Sequence, residues 1–164
     1  MREIQDIHIM SGFGRLMALA KFEVTLPTDL IRQLDKLGSK GDEISQKMLK
    51  AGAAILHAEI DKNLKKNLYT GRKYDKNYPT GALERSLTTD KPKKDKNGNH
   101  YIRIYFKGKD SKGVPNALKA AVMEYGSSKQ PKKPFIRPAE KAVEKEVNAE
   151  MQRVFDNEIN RLEG

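Results

Sequence analysis

The chain contains no cysteine. Disulfides, thiolate nucleophiles and thiolate metal sites are thereby excluded. No run of about 18 apolar residues occurs, the length a helix needs to cross a bilayer. The N-terminal stretch lacks a continuous apolar signal core, because Arg15 and several polar residues interrupt it. The default expectation is synthesis in a reducing cytoplasm, with no membrane contact. Apolar residues are themselves scarce, at 37% against 33% charged, with a mean hydropathy of −0.75. A length of 164 residues suits one domain. Its core is thin for that length, so the chain keeps polar arms or gains stability by packing against copies of itself.

Groupings that carry catalysis are also missing. His8, His57 and His100 lie far apart. His57 and Asp61 stand one helical turn apart, but a metal site needs three or more ligands, so they read as a surface or edge pair. Asp42, Glu43, Glu59 and Asp61 form no convincing acid/base pair. Ser127-Ser128-Lys129 has no supporting base for a serine nucleophile, and no Gly-rich phosphate loop follows a strand. No enzymatic activity, cofactor or metal is expected.

Positive charge is what the chain has in excess. The net charge is +10, and its distribution is uneven. Residues 1–60 carry eight Lys/Arg and eight Asp/Glu, residues 61–140 carry twenty against eight, and residues 141–164 carry four against six. A basic middle attracts polyanions without specificity, and acidic protein surfaces too. It also reads as plain solvated surface. Tyr69, Tyr74, Tyr78, Tyr101 and Tyr105 interleave with Lys and Arg, as a single-strand stacking surface does. No recognised nucleic-acid motif accompanies them. Tyr and Arg also anchor protein interfaces, which is the preferred reading.

Hydrophobic spacing predicts an α+β fold: a small antiparallel sheet with a β-hairpin, packed against a long central helix and a C-terminal helix. Residues 1–16 show no period and no cap, so they read as a loose N-terminal extension or an upstream start codon chosen in error. Residues 17–164 read as a single domain. Phe22, Val24 and Leu26 alternate on one face of a strand over 21–26, ended by Pro27. Thr28 or Asp29 caps a helix carrying Leu30, Ile31, Leu34 and Leu37, and Gly38 stops it. Asp42 opens the longest helix, reaching about Lys66. Ile44, Met48, Ala51, Ile55 and Ala58 form one apolar stripe on it, and Leu49, Ala53, Leu56, Ile60 and Leu64 the next. Ala51, Ala53, Ala54 and Ala58 allow a neighbouring element to approach closely. Gly52 in mid-helix costs roughly 1 kcal/mol against Ala, so a packing reason is expected. A long polar loop covers 67–82. Residues 100–106 form the clearest strand, paired through an Asn97-Gly98 turn with a strand at about 86–93. A buried helix covers 117–125, ended by Gly126. In the last helix Pro138 sits in the first turn, and Ala139, Ala142, Val143, Val147, Met151, Val154, Phe155, Ile159 and Leu162 mark the inner side.

The richest segment is Val122–Ala139: an apolar turn, a glycine break, a basic loop between prolines, an exposed-looking Phe135-Ile136 pair, Arg137 and a new helix start. Two readings stand. Pro131 and Pro134 stiffen a surface loop while Phe135 and Ile136 tuck the last helix into the core. Alternatively the loop presents contacts to another protein, with Phe135 anchoring the helix while Lys129, Lys132, Lys133 and Arg137 face a neighbour. The predicted subunit or partner interface is Tyr125, Gly126, Ser127, Ser128, Lys129, Gln130, Pro131, Lys132, Lys133, Pro134, Phe135 and Arg137.

The motifs Glu124-Tyr125-Gly126-Ser127-Ser128-Lys129-Gln130-Pro131 and Pro134-Phe135-Ile136-Arg137-Pro138-Ala139 resemble the hallmark of a phage family. These are the small head–tail joining or tail-completion (neck) proteins of long-tailed double-stranded DNA bacteriophages and prophages. Thr80-Gly81-Ala82-Leu83-Glu84-Arg85-Ser86-Leu87 is similar to that family's Thr-Gly-x-Leu-x-x-Ser block, which makes Thr80, Gly81, Leu83 and Ser86 its structural motif. The resemblance covers about Met17 to the C-terminus. Residues 1–16 have no counterpart in it, and Lys132-Lys133 makes the loop more basic than the family pattern. It implies a structural virion protein without catalysis, forming a ring, commonly sixfold, where tail tube meets head connector. The implied partners are copies of itself and the tail-tube or tail-terminator and head-connector proteins. Contact with DNA is at most non-specific. The implied location is the neck or tail end of the virion, and the host bacterial cytoplasm during assembly. The alternative reading is a basic nucleic-acid-binding module.

Overall fold

The computed structural model of the protein describes residues 21–69 and 81–164. The expectations for residues 1–16, Met17, Tyr74, Tyr78 and Thr80 lie outside the described residues. β1 (Lys21–Thr25) buries Phe22 and Val24, as the alternation requires. In α1 (Thr28–Asp35) neither Thr28 nor Asp29 caps the helix; Pro27 holds the cap position, and its carbonyl accepts the Leu30 N–H at 3.0 Å.

α2 (Ser39–Tyr69) begins ahead of Asp42 and spans 31 residues, about 46 Å at helical rise. Asp42 falls within the first turn, and its side chain binds the hairpin. Its Oδ1 lies 2.7 Å from Lys94 Nζ and 2.9 Å from His100 Nε2. Met48, Leu49, Ala53, Ile60 and Leu64 are fully buried along the core side. Of the alanines expected at a close approach, Ala53 is fully buried beside buried Gly52, whereas Ala54 and Ala58 are exposed.

After α3 (Ala82–Ser86) come β2 (Leu87–Thr89), β3 (Lys93–Lys94) and β4 (His100–Phe106). The sheet is antiparallel, in the order β1-β4-β2, with β3 also on β4. Phe22 faces Ile104, Val24 faces Ile102 and Leu87 faces Phe106, giving one apolar face against α2. The expected single partner strand over 86–93 is divided. The Asp90 N–H still donates to the Arg103 carbonyl at 2.8 Å, but Pro92 has no N–H to continue the ladder. The hairpin turn is also longer than Asn97-Gly98 alone. Asp95 Oδ1 accepts the N–H groups of Asn97 and Asn99 at 2.7 and 2.9 Å.

α4 (Asn116–Tyr125) leads through the basic loop into α5 (Ile136–Glu163). α5 runs antiparallel along α2: Asn63 lies beside Phe135, and Lys47 pairs with Glu158 at 2.7 Å. α2 therefore lies between the sheet and α5. A Cβ on Gly52 would overlap the Met151 Cε and lie 3.1 Å from Val147 Cγ1. Close helix contact is thus the reason for that glycine. Ile136, Ala139, Val143, Met151 and Phe155 are buried, with Val147, Val154 and Ile159 packed beside them. Ala142 and Leu162, expected on the inner side, are exposed. Ala142 is rotated about 100° from Val143, and Leu162 belongs to the last turn of the helix. Among the described residues no helix is long and apolar enough to cross a membrane.

Candidate assembly interface

The loop is built from α4 outward. Gly126 ends that helix with φ +80°, and its N–H donates to the Val122 carbonyl at 2.8 Å. The chain then doubles back so tightly that a Cβ on Gly126 would lie 2.9 Å from the Lys132 amide nitrogen. Glycine is required here on both counts. The Ser127 N–H donates to the Gln130 carbonyl at 2.8 Å, and the Lys133 N–H donates to the Met123 carbonyl at 2.7 Å.

Glu124 fastens the far end. Its side chain is buried, at 3% exposure. Oε2 accepts the N–H groups of Phe135 and Ile136 at 2.7 and 2.9 Å, and Oε1 accepts that of Arg137 at 3.1 Å. A helix start leaves such donors without intrahelical partners. A carboxylate there also meets the positive end of the helix dipole. Phe135, the residue in the cap position, makes no side-chain cap of its own, so a residue from the preceding helix performs the task. Asn67 and Asn63, one turn apart on α2, hold the loop's carbonyls. Asn67 Nδ2 donates to Lys133 O at 2.9 Å and Pro134 O at 3.1 Å, and Asn63 Nδ2 to Phe135 O at 3.2 Å.

Phe135 and Ile136 are buried rather than exposed. Phe135 stands edge-on to Phe106 with ring centroids 5.9 Å apart. A large apolar side chain fully buried this way contributes roughly 1.5–3 kcal/mol, so Phe135 anchors the loop from within. The remainder of the predicted set divides by exposure. Tyr125 and Gly126 are half-buried. Ser127, Ser128, Lys129, Gln130, Pro131, Lys132, Lys133, Pro134 and Arg137 are exposed. The ammonium groups of Lys129, Lys132 and Lys133 form no ion pair with a described residue. The Arg137 guanidinium lies over the Tyr125 ring, 5.4 Å from its centroid. Burial raises the Tyr125 hydroxyl's pKa, with Arg137 opposing. Glu140, in the next turn of α5, is pushed up to about 7 by burial and then by the Glu124 charge, against the pull of Arg137.

The other predicted residues have structural surroundings. Gly81 accepts the Arg85 N–H at 3.0 Å just ahead of α3. Leu83 is buried, and the buried Ser86 hydroxyl donates to the Leu83 carbonyl at 2.6 Å. His57 Nδ1 is hydrogen-bonded with Thr89 Oγ1 at 2.8 Å, while Asp61 pairs with Lys65 at 2.6 Å, so this pair does not act together. Tyr101, Arg103 and Tyr105 alternate with the buried residues of β4 and are half-buried. Arg103 lies 4.9 Å over the Tyr101 ring and 2.9 Å from Glu23. Glu124, Asn63 and Asn67 are outside the predicted set. One signal for Glu124 was available: a lone acid inside the apolar stretch Ala120–Tyr125, next to the helix-ending glycine.

The family model described as "Bacteriophage HK97-gp10, putative tail-component" matches residues 28–127. No curated protein and no solved structure matches the chain. The matched span holds α1 to α4, β2 to β4 and Glu124, and it stops at Ser127; the proline-flanked part of the loop and α5 lie beyond it. Matched across more than half of its length, the chain belongs to the HK97 gp10-like family of bacteriophage tail components.

Proposed function

We propose that this tail component joins head and tail, or completes the tail end, during phage assembly. It acts as a ring of its own copies, and its loop Gly126–Arg137 grips a neighbour. The observation that carries this reading is the loop itself. Its backbone is fixed by Glu124, Asn63 and Asn67, while the three lysines it displays form no ion pair with a described residue. A surface already held in one conformation loses little entropy on binding. The partners are sister copies, then tail-tube or tail-terminator and head-connector proteins, at the neck or tail end of the virion. The role requires no catalysis, metal or cofactor.

Reversal of Lys132, Lys133 and Arg137 to Glu tests it. The triple variant should remain folded by circular dichroism and fail to complete tails; normal tail joining by that variant refutes the reading.

One observation favours a second reading. Tyr101, Arg103 and Tyr105 are side by side on the sheet face away from α2, in a chain of net charge +10. Arg103 is already engaged by Glu23 and Tyr101, which leaves less for a nucleic acid. Tight DNA binding with a steep salt dependence would instead mark a nucleic-acid-binding module.

A further inference from the structure

We propose that the acceptor for the loop is the last two turns of α5 on a second copy of this chain, centred on Leu162. The inference rests on the assembly reading above and adds the partner surface to it. Leu162 is 48% exposed, more than any other large apolar side chain among the described residues. Half-buried Ile159 lies one turn before it. Asp156 lies one turn before Ile159 along the helix and Glu163 follows Leu162, while the neighbouring Arg161 is paired with Glu158 at 3.1 Å. Neither Asp156 nor Glu163 is in an ion pair with a described residue; Asp156 accepts one hydrogen bond, from Gln152 at 2.9 Å. The loop is the counterpart: exposed Pro131 and Pro134 edged by Lys129, Lys132 and Lys133. Apolar surface meets apolar surface, and carboxylates outside any described ion pair meet ammonium groups likewise placed.

The two patches stand at opposite ends of one helix. The loop ends where α5 begins, at Ile136, and Leu162 lies in the final turn. A helix of 28 residues is about 42 Å long, and α5 is held along α2 by the Gly52–Met151 contact and the Lys47–Glu158 pair. Loop and acceptor therefore cannot meet within one chain. Between copies they meet head to tail. Such a heterologous contact repeats until the rotation between copies closes a ring. Exposed ion pairs are individually weak, so the contact also draws on burying Leu162 under the prolines.

Sedimentation velocity of the full chain over a concentration series tests this, with circular dichroism as the check on folding. The wild type should self-associate. K132E/K133E and D156K/E163K should each weaken association at least tenfold, and so should Leu162→Ser, which leaves the charges alone. An equimolar mixture of the two charge variants should assemble again, because every loop then faces an end of opposite sign. If K132E/K133E stays monomeric while D156K/E163K or Leu162→Ser assembles like the wild type, the acceptor is wrong and the loop reading survives. A mixture that does not recover also overturns the acceptor. A K132E/K133E variant that associates normally, or a wild type monomeric throughout, overturns both.

Discussion

Replacing Glu124 is the most direct perturbation of the clamp. Its carboxylate accepts three backbone N–H groups at 2.7, 2.9 and 3.1 Å and is 3% exposed. Hydrogen bonds to a charged acceptor contribute about 1.5–3 kcal/mol each in isolation. They are not additive here, because they share one carboxylate whose desolvation offsets part of the gain. Loss of an ordinary helix cap costs about 0.5–2 kcal/mol. Glu124→Ala removes all three bonds and leaves a void in a buried site, so a loss of about 2–4 kcal/mol is expected. Glu124→Gln keeps the shape and one acceptor oxygen, but turns an amide donor toward other donors, and should cost about 1–3 kcal/mol. Urea unfolding measures both through the midpoint, with the slope unchanged if the unfolded state is unaffected. Amide hydrogen exchange should become faster at Phe135, Ile136 and Arg137 ahead of the rest of α5. A Glu124→Ala protein within about 0.5 kcal/mol of the wild type, with those three amides still protected, would refute the clamp.

Gly126→Ala places a Cβ at φ +80° and 2.9 Å from the Lys132 amide nitrogen; it should destabilise by about 1–3 kcal/mol, read in the same urea titration. Gly52→Val pushes branched carbons into Met151 and Val147; a loss of about 1–3 kcal/mol is expected, while Gly52→Ala should cost less, because the Met151 methyl can move and alanine favours the helix. Glu140 supplies a pH dependence. Its pKa in the folded protein is about 7 against 4.5 for the unperturbed group, so the folded state holds more protons between those values. Stability from this group is complete below the lower value and is lost as pH rises through the upper one. Thermal melts from pH 5 to 8 should show that decline in the wild type, and Glu140→Gln should flatten it.

Much of the architecture is legible because it follows from periodic burial. Ile102 and Ile104 alternate with Tyr101, Arg103 and Tyr105, and β4 becomes the central strand carrying that alternation. Gly52 stands out as a glycine in a helical pattern, and a helix contact explains it. The misreadings share a cause: local spacing does not show what covers a side chain. Phe135 is flanked by Pro134 and basic residues, which reads as surface, yet Phe106 and the start of α5 enclose it. Ala58 matches an apolar stripe of α2 and Ala54 reads as a close-approach position, yet the sheet and α5 meet that helix on other sides and leave both exposed. Asp42 reads as a helix opener, but its hairpin partners Lys94 and His100 are more than fifty positions away. At the loop, exposure of the lysines is legible from composition, whereas the clamp is not: Asn67 and Lys133 are 66 residues apart, and neither residue announces the other.

The same separation orders events in time. The bend takes its shape only after the middle of the polypeptide and its final third have docked, since its carbonyls lean on Asn63 and Asn67 and its amides on Glu124. Until the 124–137 segment has met α2, the contacts that fix this bend are incomplete.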